Sequence, residues 1–127
     1  MPSENQKRGA AGENAAVVFL EKNGYIILER NYNTRFGEID IIAGKGDIVA
    51  FVEVKTRSGK KFGAPADAVG FAKAKKIKRA ALHYVSAKKI TDKNFRFDIM
   101  EVSGAGALSV NHIESAFFWT DSDQKLF

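Results

Sequence analysis

The 127-residue sequence contains no cysteine, which excludes disulfide staples and thiolate metal sites together. Its first residues, MPSENQKRGAAGEN, lack the apolar stretch of a secretory signal, so a cytoplasmic location is the expectation. The longest apolar runs, such as IVAFVEV, fall far short of the roughly 20 residues needed to cross a bilayer, which argues against membrane insertion. His83 and His112 have no partner at zinc-ligand spacing, and surface or hydrogen-bonded positions are expected for both. Ser58, Ser86 and Ser103 lack a His and Asp arrangement for a nucleophile, and the glycines fit turns rather than a phosphate loop of the Walker type. With no repeat, low-complexity segment or interdomain linker, one domain over residues 1–127 is expected.

What the sequence does hold is core material, 45% hydrophobic and 11% aromatic, which sets a disordered chain aside. A net charge of +5 suggests a polyanionic partner, although many soluble proteins are this basic. The distribution says more than the total. Seven Lys or Arg and no acid lie between Lys73 and Lys89, whereas acids group between Glu38 and Glu53.

Ser3 with Gln6 suits a capping box, and Gly24 after Asn23 is a helix stop, so a first helix is expected within residues 4–23, weakened early by Gly9 and Gly12. Three β-rich runs follow: YIILERNYN, GEIDIIA and DIVAFVEVKTR. The short, glycine-rich link Gly44-Lys45-Gly46-Asp47 makes the last two an antiparallel hairpin. A loop from Ser58 to Pro65 leads to the helical stretch DAVGFAKAKKIKRAALHYVSA, then to strands NFRFDIMEV and ALSVNHIESAFFW. The order αβββαββ predicts an α/β fold, a mixed central sheet flanked by helices.

Strand alternation puts Glu38 and Asp40 on one side, and Phe51, Glu53 and Lys55 likewise. With the turn centred on Lys45 and Gly46, Glu38 would lie opposite Glu53 and Asp40 opposite Phe51. All four charges then share a face, with Asp40 and Glu53 close enough to ligate a hard cation. Three clustered carboxylates repel one another unless a proton, a neighbouring cation or a divalent metal intervenes. For phosphodiester hydrolysis the set has a use: carboxylates hold Mg²⁺ (or Mn²⁺) against a phosphate oxygen, while the lysine stabilises the hydroxide that develops from attacking water. The alternative is a solvated hairpin face. Apolar residues on both faces of Ile48–Val54 argue instead for a strand covered on both sides, with its terminal charges in a cleft.

On the first helix Glu13 falls near the centre of the apolar stripe formed by Gly9, Ala16, Val17 and Leu20, and it either joins the acidic face as a further metal ligand or, at the stripe's edge, reaches water or pairs with a lysine. On the second helix Ala66, Gly70, Ala74, Ile77, Ala81 and Tyr84 form the expected buried face, bordered by Lys73 and Lys76. Lys75, Lys78 and Arg79 are expected to project outward, as phosphate contacts or as a solvated face, and Arg57 extends the basic edge beyond Lys55.

The ordered pieces GEIDIIA, IVAFVEVKTR, FG, K..KI..AA..Y, RFDIM and HIESAF, spanning about Gly12 to Phe117, resemble the YraN-like family of small bacterial proteins. That family looks like a branch of the restriction-endonuclease-like superfamily and is similar in layout to archaeal Holliday junction resolvases. The resemblance implies a restriction-endonuclease-like αβββαβ core. It makes Asp40 the acid of the central strand, Glu53 and Lys55 the E-x-K pair, Glu13 the first-helix acid and Lys73 the basic residue facing the site. The proline that precedes the aspartate in the superfamily pattern is replaced by Ile39. A magnesium-dependent DNA endonuclease of resolvase-like type is therefore expected, with a noncatalytic nucleic-acid-binding module as the alternative. Related resolvases are dimers, and the aromatic stretch around Phe117 is a candidate homodimer contact.

Overall fold

A computed structural model describes residues 3–57, 70–104 and 106–120, with backbone alone for residues 4–8. Helix α1 (Glu4–Lys22) is followed by strands β1 (Ile26–Asn33), β2 (Glu38–Lys45) and β3 (Ile48–Arg57), helix α2 (Phe71–Lys88), and strands β4 (Asn94–Ser103) and β5 (Ser109–Phe117). The expected order is present. The five strands form one sheet in sequence order, antiparallel except for the parallel β3–β4 pair. That pair needs a crossover, and α2 lies within it.

Helices α1 and α2 cover opposite faces of the sheet. On one, Ala16 and Leu20 of α1 pack with Ile41, Ala43, Ala50, Val52, Met100 and Val102. On the other, Ile77, Ala80, Ala81 and Tyr84 of α2 pack with Ile39, Ile42, Val49, Phe51 and Phe97. β3 is thus apolar on both faces because both are covered, as its sequence suggested. Ala66 of the expected buried face lies outside the described residues, and Gly70 is the exposed N-cap of α2.

Close backbone approach brings both helices to the end of β3. A Cβ on Gly12 would lie 2.2 Å from Thr56 Oγ1, so the glycine that weakens α1 lets it touch the strand. A Cβ on Gly37 would meet Lys76 Cβ at 3.0 Å, so the turn before β2 lies against the first turns of α2.

The hairpin register differs from the expected one. Lys45 pairs with Ile48, leaving Gly46 and Asp47 as a two-residue turn, and the pairing continues to Ile41 and Val52. Gly46 takes a positive φ of 59°, which the turn requires and which glycine adopts without strain. Phe51 consequently faces Ile42 rather than Asp40. The shift is two residues, so each side chain of β3 keeps its face.

Candidate functional site

The β2–β3 ladder stops after Ile41 and Val52. One further step would set Asp40 beside Glu53, two carboxylates in direct opposition. Instead the strands part, and Asp40 Oδ2 accepts the Val54 backbone N–H at 2.8 Å, a side chain taking the place of a ladder carbonyl. Local alternation is broken as well: Ile39 and Ile42 pack under α2, whereas Ile41 packs under α1.

The parted strand ends, the Gly37 turn and the start of α2 enclose a cleft of about 210 Å³ lined by Gly37, Glu38, Asp40, Glu53, Lys73, Lys76 and Ile77. Glu53 is 4% exposed although charged. Two lysines answer it: Lys73 Nζ lies 2.5 Å and Lys55 Nζ 3.6 Å from the same oxygen, Glu53 Oε1. Burial, and then the negative charge of Glu53, push the Asp40 carboxyl up to about 7. The Val54 N–H opposes that rise, and the more distant charge of Glu13 adds to it. Burial and the neighbouring Lys73 lower the Lys55 ammonium. Burial works against the charge of Lys73, but its hydrogen bond to Glu53 prevails and its affinity for the proton is raised.

Glu13 comes within electrostatic reach of Asp40, but its carboxylate is engaged elsewhere. Its Oε1 accepts Asn31 Nδ2 at 2.9 Å and Arg30 Nε and Nη2 at 3.4 Å, while Arg30 Nη2 also donates to Asn14 at 2.7 Å. Asn31 stands at the left-handed φ of 52°, a conformation asparagine tolerates better than most residues, on the strand flanking Asp40. Glu38 is exposed at the rim of the cleft. Among the described residues no three His, Asp or Glu side chains converge into a ready-made metal cage. The donor pair brought together is Asp40 and Glu53, hard oxygens suited to Mg²⁺ or Mn²⁺, with Glu38 and Glu13 one step removed.

The basic residues divide. Lys73 and Lys76 line the cleft. Lys75 and Arg79 are exposed on α2, with the Arg79 guanidinium 5.9 Å from the Phe36 ring. The outward projection expected of Lys78 is corrected: it is 8% exposed and lies 6.0 Å from the Phe117 ring, because α2 turns this position toward the apolar groove of Phe51, Phe95, Phe97 and Trp119. Arg57 pairs with Glu101, Nε to Oε2 at 3.2 Å.

Both histidines have partners. His83 shares a 2.8 Å hydrogen bond with the Tyr32 hydroxyl. His112 meets the buried Asp98 at 2.8 Å, where Arg96 and the Ser115 N–H also donate. Of the C-terminal aromatics, Phe117 stacks on Phe97 with centroids 5.0 Å apart and Phe118 is 65% exposed.

Sequence reasoning missed Arg30, Asn31 and Glu101. Glu101 sits in the run DIMEV, where alternation did carry a signal: it falls in step with Phe97 and Ile99 at a core position. Nothing in the local pattern marked Arg30 or Asn31, since their role depends on α1 crossing β1.

The family described as "Uncharacterised protein family UPF0102" matches residues 12–102. A UPF0102 protein of Myxococcus xanthus is 44% identical over 117 residues, covering 91% of this chain and 93% of its own. One from Dictyoglomus turgidum is 52% identical over 98 residues, 77% of this chain and 83% of its own. One from Alkaliphilus metalliredigens is 45% identical over 109 residues, 86% and 96% of the two chains. The matched span includes Glu13, Asp40, Glu53, Lys55 and Lys73, and the chain belongs to the UPF0102 family.

Proposed function

We propose that this chain is a nucleic-acid-binding protein and a Mg²⁺-dependent DNA endonuclease of resolvase-like type, hydrolysing phosphodiester bonds in the cleft between β2, β3 and α2. The observation that carries the reading is the parting of the β2–β3 ladder at Asp40 and Glu53, which leaves two carboxylates and the Lys73 ammonium on one small cleft, with Lys55 3.6 Å from Glu53. Strand ends usually close with paired backbone groups. Here a mutually repelling acid pair, Glu53 buried and Asp40 half-buried, takes their place, an arrangement that suits binding a cation better than holding a fold.

Asp40 and Glu53 would hold the divalent ion, with Glu38 and Glu13 as further acids of the site. Bound there, such an ion supplies Lewis-acid polarisation of a phosphate oxygen and lowers the pKa of water. Lys55, beside Glu53 on the same strand, orients the attacking water and offsets the charge that develops on it. Lys73 faces the phosphate from α2, and Arg57, Lys75, Lys76 and Arg79 hold the flanking backbone without reading sequence. Lys78, buried as it is, has no direct part in that grip.

A second reading has its own support. Lys73 already neutralises Glu53 at 2.5 Å, so the cleft is balanced by the chain's own charges, as in a binding module that keeps the fold without cutting. Linear, nicked and branched DNA incubated with Mg²⁺ or Mn²⁺, or with chelator, separates the two. Cleavage that needs metal and disappears in Asp40→Ala supports the enzyme. Binding that persists in chelator with no cleavage of any substrate supports the module.

A further inference from the structure

Phe51 and Phe97 pair across the parallel β3–β4 ladder and both pack under α2. Stepping by two along each strand keeps that face, so Glu53, Lys55 and Arg57 share it with Ile99, Glu101 and Ser103, and Lys55 is the direct neighbour of Glu101. Glu101 is 0% exposed. Its Oε2 accepts Arg57 Nε at 3.2 Å, and its Oε1 has no hydrogen-bond partner among the described residues. A fully buried carboxylate with one idle oxygen is a costly way to fill a strand position, where an apolar side chain like that of the flanking Ile99 or Val102 would pack without penalty. The acid is explained by what it holds. Arg57 is the opposite case, with a third of its side chain exposed (33%) and its Nε fixed from below.

We propose that Glu101 is a positioning residue for Arg57, holding the guanidinium beside Lys55 so that it grips a phosphate of a DNA strand lying along the Glu53 to Arg57 edge. The inference rests on the nucleic-acid reading above, and not on cleavage. An arginine tethered through Nε keeps its Nη groups for two phosphate oxygens, the bidentate geometry that suits this side chain, and loses little freedom when it binds.

The test is a double-mutant cycle on binding of a labelled DNA duplex to the full chain in chelator, read by fluorescence anisotropy across a salt series. Arg57→Ala is expected to weaken binding about fivefold and to lower the salt slope by about one, as loss of one phosphate contact does. Glu101→Leu alone should give a similar loss, and Glu101→Leu added to Arg57→Ala should give none. If Glu101→Leu does not fold, Glu101→Gln, which keeps shape and an acceptor, should give about a twofold loss that also vanishes in the Arg57→Ala background. Additive losses, or wild-type affinity in the Glu101 variants, would overturn the inference and leave the nucleic-acid reading standing. Absence of any DNA binding by the wild-type chain overturns both.

Discussion

The carboxylate of Asp40 accepts the backbone N–H of Val54 at 2.8 Å at the point where β2 and β3 stop pairing. One side chain thereby satisfies a backbone donor and faces a second acid. Fold and candidate chemistry meet in that contact, because it ends the ladder and opens the cleft.

The raised Asp40 carboxyl, at about 7 through burial and the charge of Glu53, gives a pH dependence of defined sign. In the unfolded chain the group titrates at about 3.8, so between these values the folded state binds the extra proton. Stability from this group is full below the unfolded value and is lost as pH rises through about 7. Asp40→Asn keeps an acceptor for Val54 and removes the charge. It is expected to stabilise the protein by more than about 1 kcal/mol at pH 8 and hardly at all near pH 4, checked by urea denaturation at both.

Lys73 occupies Glu53 Oε1 at 2.5 Å, so an incoming cation must compete with an ammonium. Lys73→Met is expected to tighten Mn²⁺ binding on the order of tenfold, the scale of one charge-assisted contact, as measured by calorimetry. Unchanged or weaker binding would show that Lys73 is no competitor.

Gly12 touches Thr56 so closely that a Cβ would lie 2.2 Å from its hydroxyl. Gly12→Ala should therefore destabilise by about 1 to 3 kcal/mol, despite the better helix propensity of alanine. In a Thr56→Ala background the same substitution should cost much less, since only the Thr56 Cβ contact, at 3.2 Å, is retained. Thermal melts of the four proteins decide it.

Asp98 is fully buried and anchors Arg96, His112 and the Ser115 N–H. Burial opposes its ionisation, but the hydrogen bonds from His112 and Arg96 prevail and hold the carboxyl below its usual range. Its stability contribution is present above the unfolded value and is lost as pH falls through the depressed folded one. Asp98→Ala should cost about 3 kcal/mol, since it strands the half-buried Arg96 and His112, with a correspondingly lower urea midpoint.

Much of this layout was legible because β-strand period and helix-stop residues are local. The hairpin, the doubly covered β3 and the placing of Asp40, Glu53 and Lys55 on one face follow from residues within one short stretch. The register did not: a turn on Lys45 and Gly46 and one on Gly46 and Asp47 differ by two residues, and alternation is blind to even shifts. Lys78 was misplaced because a charged residue off the apolar stripe of a helix reads as solvated, whereas here Phe117 and Trp119 supply a far apolar wall. The Arg30 and Asn31 clamp on Glu13 depends on α1 crossing β1, which no local pattern encodes.

The central claim is that Asp40 and Glu53 together form a divalent-cation site, and its most direct test is Mn²⁺ titration by calorimetry of the wild-type chain, Asp40→Asn and Glu53→Gln. One site is expected in the wild type, lost in either variant. Binding should weaken by about tenfold per pH unit below the Asp40 value of about 7, as proton and metal compete. No binding heat in the wild type, or equal binding in all three proteins, would contradict it.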